Sequence, residues 1–102
     1  MTRHELEDIQ FEWDERKAAG NLAKHGVSFA DAGLVFFDEH ALIEPNDNGE
    51  GEVRFQVIGL AAGILLLFVV YTDRNNHGQE TIRIISARKA TANERCRYFE
   101  AR

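Results

Sequence analysis

Residues 64–71 read ILLLFVVY, eight apolar positions in a row, and how they fold decides how everything around them folds. The run is far short of the roughly 20 residues that cross a bilayer as a helix. Its β-branched and aromatic content suits a strand instead, and unbroken apolarity makes it a central strand covered on both faces. Working outward, GLAAG (59–63) is a hairpin turn, and VRFQVIG (53–59) before it alternates, with Val53, Phe55 and Val57 on one side and Arg54 and Gln56 on the other. DRNNHGQ (73–79) is a second turn into TIRIISAR (81–88). HALIEP (40–45) is a short edge strand stopped by Pro45, and NDNGEGE (46–52) is a polar loop.

Helical signals lie on either side of these strands. In FEWDERKAAGNLAKHG (11–26), Asp14 is an N-cap, Trp13 and Ala18 have hydrophobic-staple spacing, and Gly26 supplies the left-handed stop. Ser28 and Asp31 approximate a capping box for a second helix over about Phe29 to Asp38. Thr91 and Glu94 form one for the last helix, whose Ala92, Cys96 and Phe99 make an apolar stripe expected to dock on the sheet, with Cys96 buried as a small apolar residue. The expected fold is α+β in the order ααββββα. Two N-terminal helices precede a four-stranded antiparallel sheet and a C-terminal helix. Residues 1–10 read as a tail and 11–102 as one domain.

At 102 residues a second independent core does not fit. A composition of 44% hydrophobic and 28% charged residues is that of a folded soluble chain. MTRHELEDIQ at the start has no apolar signal region, and Cys96 is alone, so a disulfide framework is excluded and a reducing cytoplasm is expected. His4, His40 and His77 have no metal-motif spacing, so neither metal nor cofactor is expected. The net charge of −5 is unevenly spread. Residues 1–71 hold 5 Lys/Arg against 13 Asp/Glu, and residues 72–102 hold 7 against 4. A basic C-terminal third points to an anionic ligand or, more simply, to a solvated helix face.

Three motifs bring a family into view: FEWD…K…N…KHGVSF from Phe11 to Phe29, GEVRF…G from Gly51 to Gly59, and TDR…IRIISARKAT…ER from Thr72 to Arg95. With them the chain resembles the BrnT family, the toxin half of a bacterial type II toxin–antitoxin pair. The resemblance implies a RelE-like architecture and metal-independent cleavage of RNA. It also implies neutralisation by a BrnA-type antitoxin that binds operator DNA, and a two-plus-two complex that represses its own operon.

Such cleavage requires a base for the ribose 2′-hydroxyl, cations on the phosphate and an acid for the leaving oxygen. Arg83 and Arg88 are the first candidates for phosphate, because arginine grips it bidentately. Period-2 alternation sets them on opposite strand faces unless the strand bulges or ends early. Arg54 is a third candidate, or a plain solvent-facing arginine. Tyr98 shares a helix stripe with Arg95 and Arg102, and either stacks on a base, moves a proton, or packs at the core margin. His25 is the acid–base candidate nearest neutrality, or else a cap on the helix end. Lys24, Lys89, Arg95 and Arg102 complete the RNA-binding set, and Glu94 is a base or simply a capping residue. The pI near 5.3 and the lack of an obvious acid–base pair support a second reading, a non-catalytic module that binds an antitoxin and modulates transcription.

Overall fold

The computed structural model describes residues 2–6, 9–46, 53–76 and 78–102. The polar loop at 47–52 therefore lies outside the described residues. Ten elements follow in order: β1 (Thr2–Leu6), β2 (Ile9–Trp13), α1 (Glu15–His25), α2 (Phe29–Leu34) with a 3₁₀ turn at Val35–Phe37, β3 (Leu42–Asn46), β4 (Arg54–Ala61), β5 (Leu65–Asn76), β6 (Gln79–Lys89) and α3 (Ala92–Glu100). They build a six-stranded sheet in the order β1-β2-β6-β5-β4-β3. The α+β class stands, and the apolar run is central, with β5 between β4 and β6.

The expected four-stranded antiparallel sheet is too small. β1 and β2, from residues read as a tail and a helix approach, form an antiparallel pair, and β2 adds to β6 in parallel, making the sheet mixed. The physical cause is in IQFEW, where Phe11 and Trp13 on one face are buried with the core while Glu12, also buried, stands level with Arg83 in the strand register on the other.

The caps hold as read. Asp14 accepts from the backbone of Arg16 and Lys17, and Gly26 closes α1 at φ 71°. Ser28 caps α2, and Thr91 with Glu94 forms a complete capping box on α3. The second helix is shorter than Phe29–Asp38. Its last turn tightens to 3₁₀ where it crosses β4, and Gly59 makes room there: a Cβ on it would lie 3.1 Å from Val35 Cβ.

α1 and α2 cover one sheet face, burying Val27, Phe29, Ala32 and Val35 on Val57, Leu67, Val69, Tyr71, Ile82 and Ile84. Beyond Trp13 the edge of β6 has no neighbouring strand, and Asn21 of α1 takes that place. Its amide donates to Ala87 O (2.7 Å) and Val27 O (3.0 Å) and accepts from Ala87 N (3.2 Å). Asn21→Leu is expected to cost at least about 1–3 kcal/mol, the penalty for a single orphaned buried group. A urea titration against wild type checks this; an unchanged midpoint would mean that water reaches the strand edge.

α3 sits on the opposite face, over Ile58 and Leu66. It does not dock through Ala92, Cys96 and Phe99. Ala92 and Cys96 are exposed and Phe99 is 42% exposed, whereas Tyr98 is buried. Polar ties set this rotation: Tyr98 donates to Asp38, Arg97 pairs with Glu44 of β3, and Arg88 pairs with Glu94. Among the described residues, no helix is long and apolar enough to cross a membrane.

Candidate nucleic-acid interface

Cross-strand partners share a face, so register shows which side chains meet. Gln56 pairs with Val70 and Ile58 with Phe68, so Arg54 belongs to the α3-facing side. Along β5 and β6 the register reads Phe68↔Arg88, Val70↔Ser86, then Tyr71↔Ile84 and Thr72↔Arg83. One step on β5 matches two on β6, which leaves Ile85 as the extra residue of a β-bulge. That single insertion brings Arg83 and Arg88 onto the same face.

Arg54 and Arg83 line one pocket of about 60 Å³ together with Asp14, Lys17, Ile84 and Ile85. Neither arginine has a carboxylate partner among the described residues. Arg54 Nε and the Thr72 hydroxyl oxygen, both on this side of the sheet, are buried without a hydrogen bond among the described residues. Thr72 stands directly across the ladder from Arg83. Buried donors and acceptors normally find partners, so an arrangement of unpaired cations and unsatisfied polar atoms is suited to an anion with several oxygens. On β2, Glu12 stands beside Arg83 in the strand register and is paired with Arg74 at 3.6 Å.

Arg88 shares the face but not the pocket, being five residues beyond Arg83, on the order of 15 Å along the strand. Both its terminal nitrogens bond Glu94 at 2.8 Å, and its guanidinium lies 4.2 Å over the Phe68 ring. The Glu94 bonds push the Arg88 pKa up, and the same bonds hold the Glu94 carboxyl below its ordinary value. Arg88 is thus a clamp between β6 and α3, and Glu94 is a capping and pairing residue.

Tyr98 is fully buried, and its hydroxyl donates to Asp38 Oδ2 at 2.6 Å. Burial, then the Asp38 hydrogen bond, pushes its pKa up to about 12. That position removes it from base stacking and from proton transfer near neutrality. His25 ends α1, about 16 Å along the helix from Asp14, and so stands apart from the arginine pocket, as does the exposed Lys24 beside it. Lys89 is exposed at the end of β6. Arg95 and Arg102 flank Phe99, at 5.3 and 5.5 Å from its ring centre. The residue missed in the sequence is Lys17, and its signal was present: it lies three positions after the Asp14 cap, on the first turn of α1.

A larger pocket of about 460 Å³ lies near the β4–β5 turn, lined in part by Asp38, Glu39, His40 and Arg102. There Asp38 is already committed. Its burial cost is outweighed by donors from Leu60, Tyr98 and His40, which lower its pKa. Two carboxylates, one of them satisfied, stand there against Arg102, whereas in the smaller pocket Lys17, Arg54 and Arg83 outnumber Asp14, so the larger pocket is the weaker anion site.

The carboxylates that tether α3 titrate below their unfolded values: Glu94 through Arg88, Glu44 through Arg97, and Asp38 through its three donors. Their contribution is present above the ordinary carboxylate range and is lost as pH falls through the lowered folded values. α3 is therefore expected to loosen only at strongly acid pH, measurable as loss of amide-exchange protection at Tyr98. Loosening between pH 5 and 6 would contradict this.

The α+β fold and the arginines gathered on one sheet face place this chain among small domains suited to an anionic ligand. A family model described as "Ribonuclease toxin, BrnT, of type II toxin-antitoxin system" matches residues 13–94. The chain is similar to the 1.1 Å crystal structure of the Brucella abortus ribonuclease toxin BrnT, with 31% identity and a TM-score of 0.58 over 78% of this chain and 92% of that one. No curated protein matches. The chain belongs to the BrnT family of ribonuclease toxins, and its partner is the antitoxin of a type II system.

Proposed function

We propose that this chain itself cleaves RNA without a metal, with Arg54 and Arg83 on the scissile phosphate. It acts in the cytoplasm, inhibits translation, and is neutralised by a BrnA-type antitoxin in a two-plus-two complex. Operator DNA is reached only through the antitoxin. The observation that carries the catalytic reading is the shared pocket, which Arg54 and Arg83 both line with no ion-pair partner among the described residues and with Arg54 Nε buried and unbonded among them. Guanidinium groups suit this task because charge builds on the non-bridging oxygens as the 2′-oxygen attacks. Arg95, Arg102, Lys24 and Lys89 extend the RNA contact, and Phe99 between its two arginines offers an exposed ring for a base.

A second reading is the antitoxin-binding module without catalysis, favoured by one observation: neither His25 nor Tyr98 reaches the arginine pocket. Antitoxin-free protein incubated with several RNAs, with and without EDTA, separates the two. Cleavage that survives EDTA supports the ribonuclease. Intact RNA alongside tight antitoxin binding supports the module. Light scattering on the copurified complex tests the assembly, and a one-to-one mass would rule out the two-plus-two form.

A further inference from the structure

The arginine pocket also holds a carboxylate and an ammonium group that phosphate binding does not use. Asp14 and Lys17 line it with Arg54 and Arg83. They stand there because β2 ends at Trp13 and the chain turns directly into α1, setting the first helical turn at the open edge of β6, beside the bulged Ile85. Asp14 caps the helix through Oδ1 alone, with Arg16 N at 2.8 Å and Lys17 N at 3.4 Å. Its Oδ2 has no hydrogen bond among the described residues.

We propose that Asp14 is the general base and Lys17 the general acid of RNA cleavage, an assignment that rests on the arginine pocket being the phosphate site. The Asp14 carboxylate takes the proton of the 2′-hydroxyl, and the 2′-oxygen forms a bond to phosphorus. The bond from phosphorus to the 5′-oxygen breaks, its electron pair leaves with that oxygen, and the Lys17 ammonium supplies the proton. Arg54 and Arg83 stay charged throughout and hold the non-bridging oxygens. The products are a 2′,3′-cyclic phosphate and a 5′-hydroxyl, and solvent returns the proton from Asp14 to Lys17.

Tyr98, Glu94 and Glu12 are otherwise engaged. Tyr98 is buried on Asp38, Glu94 gives both oxygens to Arg88, and Glu12 is buried beside Arg74. The groups around Asp14 are Glu15, Arg16 and Lys17 of α1, Arg83 of β6, Arg54 of β4 and Glu12 of β2. The backbone bond from Arg16, with Lys17 after it, keeps the Asp14 carboxyl below its ordinary value, so it is ionised across the neutral range.

Asp14→Asn makes a clean test, because asparagine caps a helix as well as aspartate does. Cleavage by this variant is expected to fall about 100-fold or more, the usual contribution of a positioned base. Its thermal midpoint and its affinity for a 2′-O-methyl RNA should be unchanged, and the acid limb of the rate–pH profile should disappear. Lys17→Met should also cleave poorly, but recover on RNA with a sulfur in place of the 5′-bridging oxygen, since a thiolate leaves without an acid. Asp14→Asn should not recover on that substrate. An Asp14→Asn variant that cleaves at the wild-type rate, or loses cleavage only in step with RNA affinity, overturns the assignment. If Arg54→Ala and Arg83→Ala are impaired in that same experiment, the phosphate site stands and only the acid–base pair is lost. If wild type leaves RNA intact, both fall.

Discussion

Tyr98→Ala is expected to destabilise the chain by about 3–5 kcal/mol, the range for removing a large buried aromatic. Tyr98 is the largest fully buried side chain among the described residues, and it carries α3 onto Ile58 and Leu66. Tyr98→Phe separates packing from hydrogen bonding. It keeps the ring and removes one donor from Asp38, costing about 1.5–3 kcal/mol as a bond to a charged group. Because this hydroxyl lies away from the arginine pocket, the folded phenylalanine variant should cleave RNA as wild type does. Denaturant titration and a cleavage assay on both variants check this; a stable, inactive Tyr98→Phe would restore Tyr98 to the chemistry.

The second large effect concerns Arg83. Arg83→Glu replaces an unpaired cation in the pocket with a charge that repels phosphate. RNA affinity and cleavage should fall about 10- to 100-fold, from about 1.5–3 kcal/mol for one charge-assisted contact. The milder Arg83→Ala should lower the salt slope of binding by about 0.7, as one lost contact to a single strand does. Arg88→Ala is expected to behave differently. It breaks a bidentate pair that ties α3 to β6, so its loss appears first in stability. An Arg83 variant with unchanged affinity and salt slope would remove this residue from the phosphate site.

Much of this arrangement is legible in the sequence, where local chemistry is self-sufficient. Residues 65–71 of ILLLFVVY do form the central strand, with Leu66, Leu67, Val69 and Tyr71 buried, while Ile64 falls in the preceding turn and is 86% exposed, and each helix start is marked by a side chain that satisfies a backbone amide. The hidden parts depend on partners distant in sequence. IQFEW has period-2 alternation, but five residues are weak evidence without β6, some 70 positions later, to pair with. On α3 the small Ala92 and Cys96 offer little area, and Tyr98 prevails because Asp38, 60 residues away, accepts a hydrogen bond from its hydroxyl. Arg83 and Arg88 share a face only through the bulge at Ile85, and no residue type there announces one. Lys17 went unnoticed because an exposed lysine on a first helical turn looks ordinary until the strand edge beside it is seen.

The most direct test of the arginine pocket is an amide and guanidinium NMR titration of antitoxin-free protein with a 2′-O-methyl RNA that cannot be cut. The strongest shifts are expected on Lys17, Arg54, Thr72 and Arg83, with weaker ones at Arg95, Phe99 and Arg102. Shifts centred instead on Asp38, Glu39 and His40, with the arginine pocket unmoved, would contradict it.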